Sequence, residues 1–492
     1  MTSSGPVRLR VAPSPTGDPH VGTAYMSMFC LAFVRQQGGQ FVLRIEDTDR
    51  ARYRDDSEQQ IYDMLSWLGL TWDEGPDRGG PYGPYRQSER LDHYRPYAER
   101  LIEAGHAYHC WCTTERLAQM REAQQKAKQP TGYDRLCLGK SREEREALPG
   151  FSPTPVVRML VPDDVPLVFQ DVIRGEVRAP RPDDQVILKA DGFPTYHLAV
   201  VIDDHEMAIT HVVRGEEWIS STPKHVLLHQ WLDLPMPAFA HMPLLRNTDR
   251  SKISKRKNPA ARLTWFREQG FLPEALVNFL GLVGYSMPEG QEVFSFDEMV
   301  ASFDWQRVNT VGPVFDIDKL TWLNGHYIRA LPAAELADRI TDHLVLSGVL
   351  AAQPTPQQRE LVRLATPLVQ ERMQLLSEAE GMLAFLFVAD DELVVADDAA
   401  ASLKPDAAAV LDASVPALHA LQQGDQWQAA QIEAALRAAV VDGLGVKPKL
   451  AFGPLRVGVT GRRVSPPLFE SMEILGATST LARLAALRAT LA

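Results

Sequence analysis

Residues 7–11 are β-prone and run into Ala12-Pro13-Ser14-Pro15-Thr16-Gly17, a turn that can neither prolong a strand nor open a helix before Asp18. From residue 20 to 37 the spacing is helical, Gly38-Gly39 closes the helix, and residues 41–45 read as a second strand. Strand, turn, helix and strand make the opening of a βαβ unit, and such folds bind ligands at the carboxyl ends of their strands. Residues 86–105 are charged and amphipathic, whereas residues 113–150 are polar, rich in Lys, Arg and Glu, and broken at Pro130-Thr131-Gly132; this stretch reads as an insertion. Between residues 186 and 214 short β-prone runs alternate with turns at Asp191-Gly192 and Asp203-Asp204, which predicts a return to the first sheet. Residues 223–232 read as a helix. After Tyr327 the chain turns Ala- and Leu-rich with helical spacing, as in residues 333–350 and 427–441, so the C-terminal third is expected to be all-helical. An Ala/Asp-rich stretch at residues 390–405 reads as a connection between bundles, and no internal repeat is found at a fixed period.

Length and composition narrow the picture. A chain of 492 residues suggests roughly three to five domains, and 45% apolar with 23% charged residues is an ordinary globular balance. The apolar run 198–202 meets Asp203-Asp204 at once, far short of the ~20 residues of a spanning helix. Arg8 and Arg10 are followed by Pro-Ser-Pro rather than a signal-peptide core. A cytoplasmic location and no membrane partner are therefore expected. The net charge of −12 argues against nucleic acid in bulk but says nothing of local patches. Three of four cysteines cluster (Cys110, Cys112, Cys137), which points to a metal site in a reducing compartment rather than a disulfide framework.

Two short elements carry candidate chemistry. His20 stands at a helix start with Gly22 two residues on; a helix N-terminus suits a polyphosphate, and a glycine lets a base or ribose approach the backbone. Arg250, Lys252, Lys255, Arg256 and Lys257 place five cations in eight residues, as a mobile clamp on a leaving pyrophosphate would need. Either element alone is ordinary: a Pro-rich turn is common punctuation, and a basic run is usually a solvated loop.

Together, His20-Val21-Gly22-Thr23 and Lys252-Ile253-Ser254-Lys255-Arg256 resemble the HIGH and KMSKS signatures of class I aminoacyl-tRNA synthetases. The variations keep the histidine, the glycine and both lysines. The resemblance narrows to the glutamyl-tRNA synthetase family through Arg10 with Ala12-Pro13-Ser14-Pro15-Thr16-Gly17, Arg44-Ile45-Glu46-Asp47-Thr48-Asp49, Gly83-Pro84-Tyr85-Arg86-Gln87-Ser88, and Tyr196 with Asp203-Asp204. It covers essentially the whole chain. It implies an α/β Rossmann-type catalytic domain in two halves, 1–95 and 186–250, with an inserted acceptor-end-binding domain at 96–185. A stem-contact domain with the KISKR loop follows at 251–328, then an all-α anticodon-binding region as two helical domains, 329–385 and 386–492.

The implied reaction joins L-glutamate to the 3′ end of tRNA(Glu) through an adenylate, with ATP and Mg2+, in a protein expected to be monomeric. Arg10, Ala12, Ser14, Glu46, Tyr196 and Arg214 match the family's amino-acid site. Glutamate needs a bidentate cation for its side-chain carboxylate and an acid for its ammonium; Arg214 and Glu46 are the preferred partners. Val200 stands where some relatives carry a polar residue, so a direct contact is not expected there. Thr16, His20, Gly22, Glu217, Trp218, Leu245 and Lys255 match the ATP site, and His20, Gly22, Lys252, Lys255 and Arg256 the catalytic signatures. The plain alternative for Arg10 or Arg214 is a strand-surface charge, and for Tyr196 a core aromatic.

Cys110, Cys112 and Cys137 suit tetrahedral zinc, and the resemblance implies Tyr133 as the fourth ligand, with His109 a competitor. Arg372, Arg456, Ser465, Pro466 and Leu468 match the family's anticodon contacts, Arg372 at the position of an arginine in strictly glutamate-specific members. Two alternatives stay open: a non-discriminating enzyme that also charges tRNA(Gln), and a catalytically inactive tRNA-binding relative.

Overall fold

A computed structural model describes residues 5–49, 52–163, 167–256 and 258–491. Lys257, one of the cations of the basic run, lies outside the described residues. The chain divides into two compact units, Met1–Trp265 with Leu276–Asp316, and Phe266–Ala275 with Ile317–Ala492.

The first unit opens as the residue pattern predicts. Strand β1 (Arg8–Val11) leads through the proline-rich turn to helix α1 (Val21–Gln37) and strand β2 (Gln40–Leu43), and β1 pairs in parallel with β2 with Leu9 opposite Phe41. The exit from α1 needs glycine twice: Gly38 adopts φ 63°, and a Cβ on Gly39 would lie 2.1 Å from the Val7 carbonyl oxygen.

The remaining strands are β3 (Ala107–Cys112), β4 (Phe151–Met159), β5 (Val168–Asp171), β6 (Gly175–Arg178), β7 (Val186–Leu188), β8 (His211–Gly215) and β9 (Ala238–Met242). One sheet has the order β2-β1-β8-β9-β5-β6, parallel except for the edge pair β5–β6, and a second has the order β3-β4-β7. Two expectations change. The 186–214 segment does not return as alternating strands: β7 belongs to the smaller sheet, Tyr196–Glu206 is a helix that contains Asp203 and Asp204, and only β8 rejoins the larger sheet. Conversely β5 and β6, inside the 96–185 segment, pair within the larger sheet. The helix was illegible because Leu198, Ala199, Val200, Val201 and Ile202 are all buried, and a short, wholly buried run has no amphipathic period. The acidic pair reads as a turn only when its partners are unseen: Arg10, Arg44 and Arg90 neutralise it.

In the second unit, the described residues from Ile317 onward form helices and turns without strands, as expected for the C-terminal third. Helix Pro356–Val369 starts with a Thr355/Gln358 capping box, and Leu336, Ile340, Val362, Val410, Leu455 and Leu484 are among the fully buried side chains of one continuous apolar core. The 390–405 connection carries short helices of its own, Asp390–Glu392 and Asp397–Ser402. Among the described residues no helix is long and apolar enough to cross a membrane.

Candidate active site

The carboxyl ends of β1 and β8, the start of α1 and the start of helix Tyr196–Glu206 surround a cavity of about 1130 Å³. Arg10, Ala12 and Ser14 line it from β1 and its turn, His20 and Gly22 from α1, and Glu46 from beyond β2. Tyr196, Arg214, Glu217 and Trp218 close the opposite side, and Leu245, Lys252 and Lys255 complete it. Thr16 and Arg256 do not line it; Thr16 is spent in the turn, its N–H donating to the Ser14 carbonyl at 2.9 Å, and Arg256 is exposed. Val200 is buried and outside the cavity.

Three buried arginines differ in one decisive respect. Arg10 donates to both oxygens of Asp204, at 2.9 and 3.1 Å, and Arg44 donates to Asp204 at 2.7 Å and to Glu46 at 3.1 Å. Burial weakens both cations, but the carboxylates overcome it and raise their pKa. Among the described residues Arg214 has neutral acceptors: His241 Nε2 at 3.1 Å, His225 Nδ1 at 2.9 Å and Thr222 Oγ1 at 2.7 Å. Burial therefore lowers its pKa. A desolvated guanidinium without a counter-ion is unfavourable until an anion arrives, so the Arg214 site favours an anionic partner. Glu46 is pushed up by burial despite Arg44 and Arg10, and its carboxyl lines the cavity.

At the other end, His20 caps α1, its Nδ1 accepting from the Gly22 N–H at 2.9 Å. The ring proton then sits on Nε2. Burial, with Lys255 and Lys252, lowers the His20 pKa to about 4, so the ring is neutral near pH 7. A Cβ on Gly22 would stand 3.0 Å from His20 Nδ1, so the glycine leaves room for the capping ring. Lys255 Nζ donates to the Asp18 carbonyl, and Lys252 pairs with Glu217 at 3.0 Å. Trp218 stacks on Tyr196 with ring centroids 4.4 Å apart.

On β3 and the following loop, the Sγ atoms of Cys110, Cys112 and Cys137 lie within 4.8 Å of one another. Tyr133 Oη is 3.3 Å from both Cys110 and Cys112. The Cys112–Cys137 separation of 3.5 Å is close to the ~3.8 Å edge of a tetrahedron with 2.3 Å zinc–sulfur bonds and far beyond a disulfide. The donor set fits zinc. Arg116 and Arg145 each donate to Cys112 Sγ, at 3.5 and 3.6 Å, and favour thiolates there. His109 is exposed and outside the group.

In the second unit, Arg372 Nη1 donates to the Ser465 carbonyl at 3.2 Å, and Arg456 Nη1 donates to Ser465 Oγ at 2.5 Å and to the Pro466 carbonyl at 2.8 Å. Leu468 opens the helix that follows. Among the described residues neither arginine has a carboxylate partner, and burial with the Arg372 charge lowers the pKa of Arg456. Sequence reasoning missed the support beneath Arg214, namely Asp171, Thr222, His225 and His241. It also missed Gly215, where a Cβ would fall 2.0 Å from Glu217 Oε2. No local spacing marks them, since they meet only through the sheet.

Comparison with known proteins places the chain. The family described as tRNA synthetases class I (E and Q), catalytic domain, matches residues 6–322, and the anticodon binding domain family matches residues 335–488. The glutamate–tRNA ligase of Acidothermus cellulolyticus is 69% identical over 97% of this chain and 94% of its own length. That of Cutibacterium acnes is 63% identical over 98% of each. A crystal structure of a glutamate tRNA ligase from Elizabethkingia meningosepticum in complex with its amino acid superposes with a TM-score of 0.81 at 31% identity, covering 99% of this chain and 100% of that one. Motifs, fold and relatives agree over the full length, and the chain belongs to the glutamyl-tRNA synthetase family of class I aminoacyl-tRNA synthetases.

Proposed function

We propose that this enzyme activates L-glutamate with ATP and transfers it to the 3′-terminal adenosine of tRNA(Glu). The carrying observation is Arg214, a buried cation facing the cavity with no carboxylate partner among the described residues. It takes the γ-carboxylate and Glu46 takes the ammonium, while Ala12 and Ser14 flank the substrate backbone. The α-carboxylate oxygen attacks the α-phosphorus, the bond to the β-phosphate breaks, and pyrophosphate leaves. The nucleophile is already ionised at pH 7, so no general base is needed; positioning and electrostatics carry the step. Neutral His20 offers an Nε2–H donor without repelling Lys252 and Lys255, which meet the charge on the leaving group. Magnesium accompanying ATP screens the phosphates. A terminal hydroxyl of the tRNA then attacks the glutamyl carbonyl and AMP departs.

Cys110, Cys112, Cys137 and Tyr133 would hold a zinc ion, which would cross-link this part of the insert. The enzyme discriminates: Arg372 meets the last anticodon base, which is C in glutamate anticodons and G in glutamine anticodons. C offers N3 and O2 acceptors to a guanidinium, whereas G presents N1–H and N2–H₂ donors. A good base-edge contact is worth about 1–3 kcal/mol, and the penalty of opposing two donors adds to it, which sets discrimination at roughly ten- to several-hundred-fold. Charging of purified tRNA(Glu) and tRNA(Gln) side by side tests this. The unmodified enzyme is expected to favour tRNA(Glu) strongly, and Arg372→Gln, which can donate and accept, to narrow the gap by improving the wrong substrate. Comparable charging by the unmodified enzyme would overturn discrimination, and failure to charge either would overturn the activity.

A further inference from the structure

Arg214 and His241 are neighbours by sheet register: β8 pairs with β9 in parallel, with Arg214 opposite His241. An arginine nitrogen can only donate, so His241 Nε2, 3.1 Å from Arg214 Nε, must present a lone pair. The ring proton then lies on Nδ1, which donates to Asp171 Oδ2 at 2.6 Å. That oxygen also accepts from the His241 N–H at 3.0 Å, and Asp171 Oδ1 accepts from the N–H groups of Ile173 and Arg174 at 2.9 and 3.0 Å. Asp171 and His241 are both buried, and the carboxylate has acceptor work on both oxygens. Thr222 Oγ1 accepts from Arg214 at 2.7 Å and lies 3.0 Å from both the Trp218 carbonyl oxygen and His241 Nε2.

We propose that Asp171 is a positioning residue for amino-acid selection: it holds His241 in the one tautomer that can accept from Arg214, and so aims a guanidinium that has no counter-ion among the described residues at the substrate's side-chain carboxylate. This rests on the reading that Arg214 receives that carboxylate. The reverse tautomer would put an Nε2–H against the Arg214 Nε–H, displacing the guanidinium from the plane in which it meets a carboxylate with two N–H groups.

The chemistry of Asp171→Asn makes the idea testable. If the amide oxygen keeps the Ile173 and Arg174 N–H groups, its NH₂ faces His241 and forces the wrong tautomer. If it turns round, the NH₂ faces two N–H donors. In steady-state aminoacylation the variant is expected to raise the KM for glutamate roughly ten- to hundred-fold. The KM for ATP should stay within about threefold of the parent value. A merely structural role would shift both constants together, and that result overturns the proposal. Arg214→Gln runs in parallel: an unchanged glutamate KM there overturns the carboxylate placement itself. A raised KM in Arg214→Gln with none in Asp171→Asn overturns only the positioning role. Should Asp171→Asn fail to accumulate as folded protein, His241→Asn and His241→Gln read the same link, because an Asn amide takes the place of Nδ1 and a Gln amide that of Nε2. His241→Gln is expected to keep the lower glutamate KM; equal values would sink the role.

Discussion

Lys255 lines the cavity with a neutral oxygen as its partner. Its ammonium rests on the Asp18 carbonyl at the mouth of the cavity, and burial lowers its pKa. A carbonyl is a weak partner for a cation, so little is lost when phosphate oxygens replace it. Lys255→Ala is expected to slow adenylate formation at least about a hundred-fold, since one lost transition-state cation is worth ~3 kcal/mol or more, while tRNA binding stays nearly unchanged. Pyrophosphate exchange and a filter-binding assay read the two quantities, and equal losses in both would refute the assignment. Arg10 makes the opposite case. With both oxygens of Asp204 on it, the guanidinium already has a counter-ion in the cavity wall.

At the scale of elements, β3 and the loop after helix Thr114–Lys126 bring three thiols and a phenol to one point. The CxC spacing alone leaves the loop's path open; the Tyr133 N–H, accepted by both oxygens of Asp183 at 3.0 Å, fixes it. Close to one zinc per chain is expected by elemental analysis of the purified protein, lost in Cys110→Ser and in Cys137→Ser, because a site of two thiolates and a phenol closes poorly around the ion. Metal-free pure protein would contradict the site. The turn at Ser465 and Pro466 works in the same way in the helical unit, holding Arg372 and Arg456 side by side although 84 residues separate them in sequence.

For the whole molecule, acidity is the variable to which the burial pattern points. His20, His197 and His229 have pKa values lowered to about 4, 3 and 4, each first by burial, against an ordinary 6.5, and burial holds His225 well below 6.5 as well. The unfolded chain takes up protons on these rings below pH 6.5 while the folded one refuses them until about pH 4. Stability is therefore full above 6.5 and falls with pH through that window. Asp204, lowered to about 2, adds a loss only below its ordinary 3.8. One such imidazole forfeits about 1.4 kcal/mol per pH unit, so the first unit should lose about 2 kcal/mol or more between about pH 7.5 and 5. Urea midpoints followed by tryptophan fluorescence measure this, and an equal or higher midpoint at the lower pH would be the contrary result.

Local signals in the chain were sufficient for β1, α1 and β2 and for the helical character of the last third, whereas the thirteen cavity residues from Arg10 to Lys255 were named through the resemblance to a family rather than through spacing. Turn chemistry, helix punctuation and short motifs act over a few residues, and such features can be read where they are written. The tertiary structure decided the rest. It made a helix of Tyr196–Glu206, because only packing on every side and three distant arginines allow that apolar run and its acidic pair to be buried. It left Thr16 and Arg256 outside the cavity. It also separated Arg10 from Arg214, two strand arginines that look alike in sequence. The difference lies in what the neighbouring elements set against them, a carboxylate in one case and neutral rings and a hydroxyl in the other, and the electrostatic task of a buried charge is set by those neighbours.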